Sequence, residues 1–245
     1  MKIFFLGTNG WFDTHTGNTT STLIEVKDAY IILDAGGGIY RACDMVKENK
    51  PVYLLLSHLH MDHISGLQIL PLFKRAGSIT IITPDGMKKE LENIMRLLFM
   101  PPPKHLKTKT EIIEFSKTKK LPFKIKALPL EHIVPTFGYR IEADSKSVAY
   151  ASDSGVCENI LSLAKNADLL IAECSYLPDR SADNNHFNPQ QAAALAAQAD
   201  ASVLALIHFK ADVYKDFQTR DDALIAAGKI FPHTIAPYDG DCIKI

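Results

Sequence analysis

Between Ser57 and His63 the chain reads Ser-His-Leu-His-Met-Asp-His, which puts three imidazoles and one carboxylate within six residues. Imidazole nitrogen and carboxylate oxygen together form a donor set that zinc, manganese and iron all accept. The stretch follows Pro51-Val-Tyr-Leu-Leu-Leu56, an apolar run whose length predicts a short buried strand. Side chains two apart on extended backbone point the same way, so His58 and His60 can converge on one point beyond the strand end. Asp62 and His63 follow at once, in a turn into a helix, and can face a second point beside the first. Paired metal sites of this kind activate water and neutralise developing negative charge.

Four further polar residues stand where other short apolar runs end. His132 follows Ile125 to Leu130, Asp153 follows Val148 to Ala151, Glu173 follows Leu169 to Ala172, and His208 follows Val203 to Ile207. In layered sheet proteins, ligand sites collect at the loops beyond strand ends. A lone His or Asp after a strand is more often a cap or a satisfied hydrogen-bonding group. Here the 57–63 cluster needs partners from elsewhere in the chain to fill two coordination spheres.

The elements that must position these residues follow from pattern. Strands are expected at Lys2–Leu6, Thr19–Val26, Tyr30–Leu33, Ser78–Ile82, Lys109–Phe115, Phe123–Leu130, Gly138–Ala143, Ser147–Ala151, Asp168–Ala172 and Ser202–Ile207. Helices are expected at Ile39–Glu48, Gly66–Arg75, Pro84–Leu98, Gly155–Lys165, Pro189–Ala199 (with Asn188 as its cap) and Asp216–Ile230. Hairpins come first and strand–helix alternation later in each half. Two mixed β-sheets packed face to face with helices outside, an α/β (α+β) αββα sandwich, satisfy that order. The chain shows no linker or low-complexity tract, so residues 1–245 read as a single domain.

Composition narrows the class. With 47% hydrophobic and 22% charged residues the chain is an ordinary globular one rather than disordered or membrane-embedded. A formal charge of -1 argues against coating nucleic acid by net attraction, though not against a local basic patch. The start, Met-Lys-Ile-Phe-Phe-Leu-Gly, is too short an apolar run for a signal peptide. Cys43, Cys157, Cys174 and Cys242 are scattered without a C-x-x-C pair, which suits a reduced, cytoplasmic setting.

The set His58, His60, Asp62, His63, then His132, Asp153 and His208, resembles the metal-binding pattern of the metallo-β-lactamase superfamily. The resemblance runs from Leu6-Gly-Thr through Asp34-Ala-Gly-Gly-Gly38 to His208. It implies two divalent metal ions, zinc first with manganese or iron as alternatives. His58, His60 and His132 would hold one, and Asp62, His63 and His208 the other, with Asp153 between them. A water activated between the ions would be the nucleophile, Asp62 would also orient it, and Asp34 would orient a metal-bound histidine. A homodimer also fits the resemblance.

Later motifs resemble the ribonuclease Z and phosphodiesterase branch: Glu131-His132-Ile-Val-Pro135-Thr-Phe-Gly138, Ser152-Asp153-Ser154-Gly155, Glu173-Cys-Ser-Tyr176, Asn185-His186-Phe-Asn-Pro189 and Ile207-His208-Phe209. The branch implies that His186 contacts the scissile phosphate, assisted by Glu173. The chain departs from tRNA-processing members, which insert a tRNA-gripping arm between the motifs matching His132 and Asp153. Only twenty residues separate the two here, and a hairpin accounts for them. Lys210-Ala-Asp-Val-Tyr214 also stands where those enzymes carry a serine and an arginine. A small phosphodiester or nucleotide, or short single-stranded RNA, is therefore the expected substrate. The alternatives are an ester, lactone or sulfate hydrolase on the same site, or a tRNA 3′-processing enzyme. Eight lysines between Lys104 and Lys126 mark a solvated face or a nucleic-acid contact.

Overall fold

The computed structural model describes residues 1–180 and 185–245. Its first half carries strands β1 (Lys2–Gly7), β2 (Asn9–Gly10), β3 (Ser21–Glu25), β4 (Tyr30–Leu33), β5 (Pro51–Leu55), β6 (Ser78–Thr83) and β7 (Thr110–Glu114). The second half carries β8 (Lys124–Leu130), β9 (Thr136–Ala143), β10 (Lys146–Ala151), β11 (Leu169–Glu173), β12 (Leu204–Ile207), β13 (Phe209–Lys210), β14 (Thr234–Ile235) and β15 (Cys242–Lys244). Among the described residues these make a seven-stranded sheet in the order β15-β1-β3-β4-β5-β6-β7 and a six-stranded sheet in the order β14-β12-β11-β10-β9-β8. A small parallel pair, β2 with β13, stands apart from both. Each large sheet is mixed. Antiparallel hairpins pass into parallel strands at β4–β5 and at β10–β11.

Period-two alternation explains the layers. On β4, Ile31 and Leu33 point into a core shared by the two sheets, while Tyr30 and Ile32 point out toward the helices of the first half. On β11, Leu169 and Ile171 point into that same core, and Leu170 and Ala172 point outward. Both faces are covered, which is why these strands read as unbroken apolar runs rather than alternating ones. Helices α1 (Ala42–Met45), α2 (Met61–Ile64) and α3 (Lys88–Ile94) belong to the first half, and α4 (Glu158–Ala164), α5 (Pro189–Gln198) and α6 (Phe217–Gly228) to the second. The result is the expected αββα sandwich.

Several helices are shorter than their apolar patterns suggested. Ser65–Leu72 is a 3-10 helix because Pro71 lies inside it and lacks the N–H an α-helix needs. Pro84 opens a turn, not a helix: Gly86 takes φ +84 and α3 starts only at Lys88. The expected Ile39–Glu48 helix is a 3-10 turn, Gly37–Arg41, followed by the single α-turn of α1. Asn188 does cap α5, in a reciprocal capping box with Gln191.

Two features bear directly on the site. The β9–β10 hairpin turns at Asp144-Ser145, both with positive φ (49 and 60), the geometry of a tight hairpin, so the space between His132 and Asp153 is filled by sheet. The eight lysines of residues 104–126 are all exposed, and Lys124 and Lys126 lie on β8, the edge strand of its sheet. Charge on an edge strand blocks pairing with other chains, which accounts for these two without a ligand. No helix among the described residues is long and apolar enough to cross a membrane.

Candidate metal centre

The site is assembled where β4, β5, β8, β10, β11 and β12 end. Asp34 follows β4 in the left-handed region (φ 56), and His208 follows β12 likewise (φ 54). Such values in non-glycine residues are uncommon and gather at functional sites. Beyond β5, Ser57 N–H donates to Asp34 Oδ1 at 2.7 Å, which ties the start of the histidine stretch to the neighbouring strand end. His60 is the extended residue before α2, so α2 carries Asp62 and His63 back over the strand ends.

All seven expected ligand residues come together. Donor atoms of His58, His60, His132 and Asp153 lie within 4.8 Å of one another, and so do those of Asp62, His63 and His208. Asp153 joins the two groups: its Oδ1 is 3.2 Å from His63 Nε2 and 3.1 Å from His208 Nε2, and its Oδ2 is 4.0 Å from His132 Nε2. His60 and His132 are partly exposed, whereas His58, His63, His208 and Asp153 are buried.

The outward-facing ring nitrogens decide which atoms point inward. His63 Nδ1 donates to Asp34 Oδ2 at 2.8 Å, and that carboxylate also accepts from Ser57 Oγ (2.8 Å) and Tyr150 OH (2.6 Å). Ser57 Oγ, having given its proton to Asp34, accepts from His58 Nδ1 at 3.0 Å. His132 Nδ1 donates to the Asn185 carbonyl at 3.3 Å, and His208 Nδ1 to Ser175 Oγ at 3.3 Å. A proton fixed on each Nδ1 leaves a lone pair on each Nε2. Yet, whereas His58 Nε2 lies 2.9 Å from His60 Nδ1, which can donate to it in one tautomer, His63 Nε2 faces His208 Nε2 at 3.3 Å. Lone pair facing lone pair at that distance repels unless a cation or proton lies between. His132 Nε2 is buried without a hydrogen-bond partner among the described residues. The residues therefore fit divalent ions, with an outer partner for each oriented ring.

Electrostatics separate the two groups. Burial holds His58, His60 and His132 below the ordinary imidazole range. Burial is also the largest single influence on His63 and His208 and pulls both down. Asp153 and Asp62 outweigh it and raise both, with Asp34 adding to the effect on His63. Burial would raise the carboxyls of Asp62 and Asp153, but the neighbouring histidines win and hold both below the usual range.

His186 stands at the rim. Its Nδ1 lies 3.0 and 3.1 Å from the two oxygens of Glu173, a fully buried carboxylate that also accepts Ser154 N–H at 2.7 Å. A cavity of about 500 Å³ opens over the group, lined by Trp11, His60, Met61, Asp62, His132, Ile133, Asp153, Ser175, His186, His208 and Lys210. His15, in the loop before β3, is exposed and does not line it.

Sequence reasoning missed Ser57 as the hinge between Asp34 and His58, Ser175 behind His208, and Tyr150 on Asp34. Tyr150 sits in an apolar run and reads as core. It also missed β2 and β13, two residues each and too short for periodicity to show. Gly10 of β2 is where the His208 ring lies against backbone, for a Cβ there would come 2.5 Å from His208 Cε1. Arg220 of α6, buried, secures this pair by donating to Thr8 Oγ1 (2.9 Å) and to Asn9 Oδ1.

A beta-lactamase superfamily domain matches residues 30–209. A curated relative, the probable metallo-hydrolase YhfI of Bacillus subtilis, is 28% identical over 85% of this chain and 86% of its own. Its crystal structure superposes with a TM-score of 0.82 over 99% of this chain and 98% of that one, at 25% identity. Ribonuclease Z of Ignicoccus hospitalis is 26% identical over 88% of both chains. Human short-form tRNase Z shares the fold, with a TM-score of 0.71 and 21% identity over 100% of this chain and 99% of that one. The chain belongs to the beta-lactamase superfamily, among its metal-dependent hydrolases.

Proposed function

We propose that the protein is a phosphodiesterase that cleaves small nucleotide or short RNA phosphodiesters with two divalent ions, zinc before manganese or iron. His58, His60 and His132 would hold one ion, Asp62, His63 and His208 the other, with Asp153 shared. Bound there, the ions would supply an activated water and neutralise charge building on the phosphoryl oxygens. Asp62 Oδ2, held by the Trp11 N–H at 2.7 Å, would orient that water. The proposed setting is the cytoplasm, with residues 1–245 acting as one domain.

The observation that carries the phosphodiester reading is the Glu173–His186 pair. Glu173 holds His186 Nδ1, and His186 lines the cavity together with His132, Asp153 and His208. A donor placed there would meet a tetrahedral phosphoryl oxygen, with Glu173 fixing the orientation of the ring. The ribonuclease Z relatives support RNA-type diesters as the bond class.

The test is hydrolysis of bis(p-nitrophenyl) phosphate by the zinc-loaded protein beside a p-nitrophenyl ester and a lactone, with and without chelator. Diester cleavage should dominate and vanish on chelation. A zinc- or manganese-loaded protein that cleaves the ester or lactone but no diester would overturn the reading.

A further inference from the structure

Trp11 lies at the mouth of the catalytic cavity, and neither the ion ligands nor His186 account for it. It is the chain's sole tryptophan and is 58% exposed, although apolar surface of that size usually finds cover. Its backbone sits in the left-handed region at φ 74, an outlier for so bulky a residue. What holds it there is functional: the Trp11 N–H donates to Asp62 Oδ2 at 2.7 Å, so the indole is carried on the same peptide that fixes Asp62. Strain kept in place by a catalytic contact points to use of the side chain it presents.

The surroundings say what for. Lys210 Nζ lies 5.2 Å from the indole centroid, and Lys210 lines the same cavity two residues after His208. Phe12 packs edge-on against the indole at 5.2 Å and 67°, which limits the ring's freedom to turn. Met61 and Ile133, 61% and 70% exposed, are the other apolar residues lining the cavity. The β2–β13 pairing sets this arrangement: Lys210 pairs with Gly10, which brings the ammonium beside the residue that follows. An exposed, oriented indole with an ammonium over one face, itself 3.7 Å from Asp212 Oδ2, beside a centre that would take a phosphoryl group, matches a ligand that is flat and apolar at one end and anionic at the other.

We propose that Trp11 and Lys210 form the specificity element of the site, the indole stacking on the nucleobase of a nucleoside phosphodiester and Lys210 meeting phosphate oxygens. This rests on the phosphodiesterase reading and adds that a base, not the diester alone, is recognised. Stacking of one base on an aromatic side chain strengthens binding roughly 10- to 100-fold. The ammonium contributes to a phosphate-bearing ligand whether or not a base is present.

A sole tryptophan makes the test direct. Indole emission of the zinc-loaded protein is titrated with AMP and with ribose 5-phosphate, and calorimetry measures both affinities independently. AMP should quench the emission saturably and bind roughly 10- to 100-fold more tightly than ribose 5-phosphate. In Trp11→Gly, which accepts the backbone angle, calorimetry should show the two affinities converging, whereas Trp11→Phe keeps most of the preference. Lys210→Gln should weaken both ligands together. AMP bound without any change in emission, equal affinities in the wild type, or no binding of either ligand would overturn the proposal. Methyl p-nitrophenyl phosphate, assayed on the same protein, separates the two readings. Its cleavage alongside a failed AMP preference sinks only the stacking platform; inertness toward it and every other diester sinks the phosphodiesterase reading as well.

Discussion

His58, His60 and His132 form a group of neutral rings in which Asp153 is the one carboxylate, whereas His63 and His208 lie among the carboxylates of Asp62 and Asp153, with Asp34 behind His63. In the first group His132 Nε2 has no partner among the described residues, and His58 Nε2 meets only His60 Nδ1. In the second, His63 and His208 can take up protons against the acidic neighbours, and both are raised accordingly. Without metal, then, protons held against carboxylates can satisfy the second pocket, while in the first His132 Nε2 stays without a partner among the described residues. The two proposed ions should differ in how strongly protons compete with them.

Asp153 belongs to both groups, so its loss should erase the difference. Asp153→Asn should lower diester hydrolysis by on the order of 10³-fold and reduce both metal occupancies, measured by elemental analysis after gel filtration. Asp34→Asn should act unequally: it removes the carboxylate that meets His63 Nδ1 directly, while His58 feels it only through Ser57, and should cost about 10- to 100-fold in affinity for the second ion and less for the first. Equal weakening of both ions would show that Asp34 does not orient His63 selectively. Ser175→Ala should have a smaller effect, at the low end of that range, by loosening His208.

The pH dependence sharpens the contrast further. The first-pocket rings are held below the ordinary value near 6.5, so that pocket should keep its affinity as pH falls from 8 toward 6.5. His63 and His208 are raised, so protons compete with the second ion up to higher pH than with the first. Affinity there should rise with pH, and calorimetry in buffers of different ionisation enthalpy should show proton release confined to the second binding step. Release shared equally by the two steps would contradict the comparison.

The seven residues that the structure brings together were legible as polar positions at or just beyond the ends of apolar runs, and their division into two groups through family resemblance. Asp34, Glu173 and His186 were legible through motif resemblance. The sheet layering was also readable, since hairpin turns and parallel crossovers leave different spacings. What could not be read was held by contacts distant in sequence. Arg220 reaches Thr8 and Asn9 more than two hundred positions away, and Tyr150 lies 116 positions from Asp34. Helix lengths failed for a local reason, because Pro71 and Gly86 override an apolar pattern that otherwise continues.

The central claim is that His186, held by Glu173, makes this a site for phosphodiesters. It is tested most directly by comparing bis(p-nitrophenyl) phosphate with a p-nitrophenyl ester for wild type and His186→Ala, both zinc-loaded and with metal content verified. Diester cleavage should fall by about 10² to 10³ at unchanged metal content, with ester cleavage little altered. A mutant that cleaves the diester as well as wild type, with both ions in place, would contradict the account.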